Sequence, residues 1–405
     1  MKEVHMKLQR LSGTILGLII LFVMVISCED DYPKSLYQPD EEYRANPVVE
    51  DIQPDSILGG VGIIEILGEN FSPNPEENTV YFNSVQARVL NASETRLEVA
   101  APNEFGDSVR IKVDVDGSLL FGEFFPYKVR PVLKTFASFQ PGVTLYSLAI
   151  DAKGQIYVSM GNQQIRKFDP EGAPIKTFNW TYPFTNSLRT GPDGQLYGIV
   201  IGRIKFVVAV DTTDGSTENV ASLSKNPSDL DFDETGAIWL SAGGSVLRVD
   251  NGTSSEVANY ADIELDGIRY FDGSLYLLSY SEAEGYALWS APVEGESLGE
   301  KTLVGNLTEA YGDTVEATSM EMDASGAIYI GTTSPHYGIV ILDQSGNFTQ
   351  LYPDLVSGPI YDMNWGAGSY LFAAGQQAVD GETVPAILRI DTQQEGAIRW
   401  GRENN

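Results

Sequence analysis

Asp151-Ala152-Lys153-Gly154-Gln155-Ile156-Tyr157 decides the fold, because the chain repeats it. The phrase returns as Gly191-Pro192-Asp193-Gly194-Gln195-Leu196-Tyr197, as Asp233-Glu234-Thr235-Gly236-Ala237-Ile238-Trp239, in a shortened form as Phe271-Asp272-Gly273-Ser274-Leu275-Tyr276, and as Asp323-Ala324-Ser325-Gly326-Ala327-Ile328-Tyr329. A sixth, degenerate copy is Trp365-Gly366-Ala367-Gly368-Ser369-Tyr370-Leu371. Their final positions lie 40, 42, 37, 53 and 42 residues apart. A period near 40 is that of a four-stranded propeller blade. In the phrase an acidic residue and a glycine two or three positions on build a hairpin turn, and the apolar-aromatic pair begins a strand that packs between sheets.

Working outward, a third strand follows in most copies, at residues 164–169, 245–250, 338–343 and 386–391. Six copies predict six blades. Residues 132–137 contain Val132-Leu133-Lys134-Thr135-Phe136, which echoes Ile175-Lys176-Thr177-Phe178 at the outer edge of the first blade. That echo predicts that the segment closes the ring by joining the last blade. The repeat resembles the NHL-type family of six-bladed propellers and covers about residues 131–405.

Before the propeller, residues 47–130 carry strand candidates at 62–67, 79–82, 87–90, 96–100, 109–115 and 124–129, separated by Gly, Asn, Pro and Asp clusters. This spacing predicts a small β-sandwich. Ile52-Gln53-Pro54, Gly59-Gly60, Ile66-Leu67-Gly68-Glu69-Asn70-Phe71, Val80-Tyr81-Phe82-Asn83 and Val99-Ala100-Ala101-Pro102 resemble, in order, the landmarks of an IPT/TIG domain. The resemblance implies an immunoglobulin-like fold that serves as a spacer or docking surface. The expected class is therefore all-β, a sandwich followed by a propeller, with little helix.

The N-terminal residues give an address. Lys2, Lys7 and Arg10 precede an apolar run from Ile15 to Ile26, which is too short to span a bilayer, and Ser27-Cys28 follows it. Residues 1–27 read as a leader peptide and Cys28, the only cysteine, as the residue acylated after cleavage. Met6 offers a second start. Residues 28–46 form an acidic linker, and Glu29-Asp30-Asp31 resembles the tract that sends lipoproteins to the outer surface of some polysaccharide-degrading Gram-negative bacteria. The expected location is the outer membrane, lipid-anchored and facing outward.

Charge and chemistry narrow the function. A formal net charge of -30 repels nucleic acid. The only histidines are His5 and His336, Cys28 is committed to the anchor, and no serine-hydrolase elbow, zinc-protease motif, P-loop or dinucleotide fingerprint occurs. Among metal-dependent alternatives, Asn186, Asp266, Glu316 and Asn364 fall near the starts of innermost strands. Oxygen ligands of this kind suit calcium, and the set is similar to that of six-bladed lactonase-type hydrolases.

Aromatic residues divide by phase. Tyr157, Tyr197, Trp239, Tyr276 and Tyr329 recur with the repeat and are expected in the core. Trp180, Tyr182, Tyr280, Tyr286, His336 and Tyr337 lie off phase, in two loop types that share one face of a propeller. Such rings stack on the C–H faces of sugars, and Asn162, Gln163, Gln376 and Gln377 are placed to bond hydroxyls.

The architecture resembles accessory lipoproteins of starch-utilisation-type systems. It implies capture of a polysaccharide or oligosaccharide without catalysis, beside a TonB-dependent transporter and its glycan-binding lipoprotein. A protein-binding scaffold, and a metal-dependent hydrolase or lyase at the channel mouth, are the other readings the residues allow.

Overall fold

The computed structural model describes residues 43–182, 185–379 and 381–401. The segment read as a leader peptide, Cys28 and most of the acidic linker lie outside the described residues. No helix among those described is long and apolar enough to cross a membrane.

The sandwich is built from β1 (Val48–Gln53), β2 (Ser56–Leu58), β3 (Ile63–Glu69), β4 (Asn78–Phe82), β5 (Val85–Ala92), β6 (Arg96–Ala100), β7 (Gly106–Val115) and β8 (Gly122–Arg130). Hydrogen bonding runs in the order β1-β3-β6-β5-β4-β7-β8-β2, so β5 wraps from one layer to the other. The alternation expected of a half-buried strand is plain in β3, where Ile64 and Ile66 are fully buried and Ile63 is exposed. They close on Phe82, Leu97, Val99, Ile111 and Val113. The short strands β1 and β2 escaped the sequence reading, since neither has an alternating run long enough to register.

Beyond β8 the described residues form six sheets around an axis. Blade 1 runs outward through Leu145–Ile150, Ile156–Met160, Gln164–Phe168 and Pro174–Asn179. Blade 4 carries an extra short strand, Ser297–Leu298, which accounts for the 53-residue spacing after it, together with helix α1 (Leu307–Tyr311). In blade 6, Ile360–Trp365, Tyr370–Val379 and Glu382–Asp391 are completed by β9 (Leu133–Ser138), which pairs with Glu382–Asp391. The ring is therefore closed by the segment that its echo predicted, with the first and last parts of the propeller in one sheet.

The repeated phrase works through its aspartate. Asp151 Oδ1 accepts the N–H groups of Lys153 and Gln155, both at 2.9 Å, and Oδ2 accepts the Tyr157 hydroxyl at 3.0 Å. Asp233 does the same for Thr235, Ala237 and the Trp239 indole. One carboxylate thus shapes the turn and gives the buried aromatic a partner. The glycine of the phrase takes positive φ, +73° at Gly154 and +86° at Gly236. These aspartates are committed to hairpin chemistry.

Sandwich and propeller touch at their junction. Arg130 pairs with Asp391 at 2.9 Å, Asp391 N–H donates to the Val132 carbonyl, and Leu355 lies against Gly60. Because β9 starts opposite Ile390 and ends opposite Ala386, the chain joins the propeller at the end where the Asp-turns lie. The loops that connect successive blades occupy the other end.

Candidate functional site

Two places concentrate polar groups: the axis of the propeller, and a cleft on the loop face above blades 3 and 4.

At the axis, side chains of each innermost strand reach the next blade. Asp229 Oδ2 accepts Ile268 N–H at 3.2 Å, Asp231 accepts Tyr270 N–H at 2.8 Å, and Asp362 accepts Leu148 N–H at 2.9 Å. Between these carboxylates sit three arginines. Arg269 pairs with Asp229 and, at 3.2 Å, with Glu321. Arg189 lies 3.6 to 3.8 Å from Glu321, Asp229 and Asp362. Burial pushes the carboxyls of Asp229 and Asp231 up to about 6 and that of Asp362 up to about 7, against the pull of Arg189.

The Asp-turn end of this axis is sealed by residues 395–401. Ala324 N–H donates to the Glu395 carbonyl and Ala397 N–H to Met322, which lays the segment across the inner strands. Arg399 then enters the axis, pairing with Glu321 and bonding the carbonyl of Trp365 and the side chain of Asn364. The Trp400 indole donates to the Asp233 carbonyl at 2.9 Å.

This arrangement corrects the proposed calcium set. Asn186 and Asp266 occupy equivalent positions at the loop end of their strands, whereas Glu316 precedes that level by two residues and Asn364 follows it by three. Asn364 is buried, donates to the Leu148 carbonyl and accepts from Arg399. Glu316 is exposed. Among the described residues no group of three or more His, Cys, Asp or Glu side chains is arranged to hold a metal ion. The four residues do not fit one coordination shell.

The cleft on the loop face has a volume of about 850 Å³. It exists because the turn between the second and third strands of blade 3 is only Gly243-Gly244, with Ala242 paired to Ser245. The loop into blade 4 drapes over that turn: Tyr260 N–H donates to Gly244 and Leu265 N–H to Gly243. A Cβ on Gly244 would lie 2.3 Å from the Tyr260 carbonyl oxygen, so the close approach requires glycine.

Lys225, Asn226, Ser245, Asn259, Glu264, Asp266 and Tyr280 line the cleft. Lys225 bonds Ser245 Oγ at 2.6 Å and Glu256 at 2.9 Å, which holds the Glu256 carboxyl down to about 2. Asp266 stands at a bulge in Glu264–Phe271, where Leu265 and Gly267 have partners and Asp266 is skipped. Burial, reinforced by Glu264, pushes its carboxyl up to about 6. The Tyr280 ring is 39% exposed at the rim, with Tyr286 5.0 Å away. Chemically, the cleft offers one stacking ring and donors and acceptors of both kinds.

The aromatic residues chosen from sequence part company here. Trp180 is only 3% exposed, buried among Tyr157, Leu188 and Val200, and Tyr182 is half-buried between Trp180 and Phe206. Trp180 therefore fills the wedge between blades 1 and 2, and Tyr182 packs edge-on against its outer side. Tyr286 is half-buried beside α1, its N–H bonded to Thr308 Oγ1. Tyr337 stacks 4.8 Å from Tyr311 against the blade 5 core, while His336 beside it is exposed.

The four amides divide: Asn162 and Gln163 are exposed, whereas the side chains of Gln376 and Gln377 are hydrogen-bonded within the protein. Asn162 and Gln163 form a tight hairpin turn with φ of +63° and +57°. Gln376 donates to the Tyr361 hydroxyl and Gln377 accepts from Thr135, binding β9 to blade 6. Sequence reasoning missed Lys225, Asn226, Ser245 and Tyr260. The signal that marks them is the Gly243-Gly244 pair, which shortens one blade's turn.

Comparison with known proteins agrees with the two-part fold. Residues 47–127 match the IPT/TIG domain family. None of the curated proteins matches the sequence significantly. The chain is similar in structure to an auxiliary nutrient binding protein from Bacteroides thetaiotaomicron, with 13% identity, a TM-score of 0.54, and coverage of 87% of this chain and 99% of that one. A putative phosphatase from the same species is similar over 87% and 98%, with 12% identity and a TM-score of 0.53. A putative gluconolactonase is similar over 66% and 94%, with 12% identity and a TM-score of 0.52. At these identities the likeness is one of fold.

Proposed function

We propose that the protein is a lipid-anchored outer-membrane component of a nutrient-uptake system that captures an extracellular saccharide without catalysis. Its site is the cleft above blades 3 and 4. The observation that carries this reading is the open cleft itself, whose lining combines the exposed Tyr280 with Lys225, Asn226 and Asn259. An aromatic ring and several hydrogen-bonding groups in one cleft suit the apolar and polar surfaces of a pyranose.

The acidic side chains at the rim favour a neutral or cationic sugar over a uronate. Fold likeness to an auxiliary nutrient binding protein supports the uptake role, and the Cys28 leader supports the surface location. A TonB-dependent transporter and its glycan-binding lipoprotein are the partners that the architecture implies.

Electrophoresis through gels cast with a panel of neutral, acidic and amino polysaccharides tests the reading. Retardation of the wild-type protein by a neutral or amino polymer, with no release of new reducing ends on incubation, is the expected result. No retardation by any polymer in the panel would overturn it, and release of reducing ends would replace capture with hydrolysis.

A further inference from the structure

The turn between β7 and β8 exposes three consecutive apolar side chains: Leu119 at 58%, Leu120 at 63% and Phe121 at 49%. A run of this kind on an otherwise acidic surface costs solubility unless something covers it. The turn is held firmly. Asn46 Oδ1 accepts the N–H groups of Leu119 and Leu120 at 3.1 and 3.0 Å, Arg44 N–H donates to the Gly117 carbonyl at 2.8 Å, and Asp116 N–H donates to Glu77.

Two features fix which way the turn faces. Residues 44 and 46, which clasp it, are the last of the acidic linker, so the linker arrives beside the apolar tip. At the opposite end of β8, Arg130 pairs with Asp391 of the propeller, about 30 Å away along a nine-residue strand. The tip is therefore at the linker end of the molecule and the propeller at the far end.

From Cys28 to Tyr43 is fifteen residues, which span at most about 50 Å. A lipid on Cys28 keeps the tip within reach of the membrane surface. Several charges near the tip are paired, Arg44 with Glu77 at 2.6 Å and Glu123 with Arg110 and Lys112 at 2.7 and 3.7 Å, while Asp116 and the acidic linker add negative charge beside it. Lys112 also lies over the Phe121 ring at 5.4 Å, as a cation does where an aromatic side chain meets lipid headgroups.

We infer that the Leu119-Leu120-Phe121 tip rests in the interfacial layer of the membrane and stands the sandwich upright, holding the propeller cleft away from the bilayer. This rests on the reading of Cys28 as the acylated residue. The occupant is a lipid surface, and a protein partner at the tip is the competing outcome.

The test uses the full acylated chain in vesicles of phosphatidylethanolamine and phosphatidylglycerol. With Cys28 acylated, Leu120→Cys supplies the sole free thiol for an environment-sensitive fluorophore, and Asp313→Cys on the loop side supplies the control. Vesicles that carry brominated acyl chains should quench the label at position 120 strongly and leave the label at 313 unchanged. A second chain, Leu119→Glu with Phe121→Glu and labelled at Ser118→Cys, should lose the quenching shown by the Ser118→Cys chain alone while still floating with the vesicles. Flotation without quenching at position 120 overturns the inference and leaves the anchor intact. Failure to float overturns the anchor reading, and the inference with it.

Discussion

Arg399 holds both carboxylate oxygens of Glu321 at 3.1 Å, so a residue at the end of the chain is fastened to the innermost strand of blade 5. The Glu321 carboxylate is buried and also takes Arg269. Removal of one cation leaves part of its charge uncompensated at low dielectric. Arg399→Ala should lower stability by about 3 kcal/mol, and the shift in thermal midpoint checks it. An unchanged midpoint would show that residues 395–401 do not bear on the ring.

The carboxyls around Arg189 make stability depend on pH in a stated direction. Asp362 is pushed up to about 7 by burial, so the folded protein binds its proton more tightly than the unfolded chain does. Its contribution is fully present below pH 4 and is lost as the pH rises toward 7. Asp362→Asn should flatten the thermal midpoint across this window, since the amide oxygen can still accept Leu148 N–H. A pH profile that matches the wild type would contradict this.

Trp180 and Tyr280 should separate stability from binding. Trp180→Ala opens a cavity in the blade 1–2 core and should cost about 3 to 5 kcal/mol, while Trp180→Phe keeps most of the packing and should bind saccharide as the wild type does. Tyr280→Ala removes a rim ring and should weaken binding by about 1 kcal/mol, roughly fivefold, with little change in the melt. Calorimetric titration and thermal melts on the same preparations distinguish the two residues.

The repeated turn supplies a further test. Asp233→Ala leaves the Trp239 indole N–H buried without its acceptor and frees two turn amides. The expected cost is about 2 to 4 kcal/mol. Asp343→Ala, in an exposed turn that accepts only from Ser345 and Asn347, should cost less. Denaturant unfolding of the pair checks the order.

Local chemistry made the propeller legible. Where the phrase is complete, its Asp and its aromatic interact within seven residues, as Asp151 and Tyr157 or Asp233 and Trp239 do, so their spacing survives in the sequence and even the closing strand announces itself by its echo. The cleft and the axis follow from contacts between blades. Arg189 and Arg269 occupy equivalent places on innermost strands and each is flanked by buried residues on its N-terminal side, so no alternation marks them. Trp180 misled because an off-phase aromatic beside a loop reads the same whether it faces solvent or fills the wedge between two blades. Asn364 misled because a shift of three residues along a strand moves it from the loop end of the axis to the end that Arg399 seals.

Hydrogen–deuterium exchange with and without a saturating saccharide that retards the protein in gels locates the binding face. Added protection is expected at residues 243–245, 260–266 and 280–286, with blades 1, 2 and 6 unchanged. Protection confined to another face of the propeller or to the sandwich would contradict the cleft as the site.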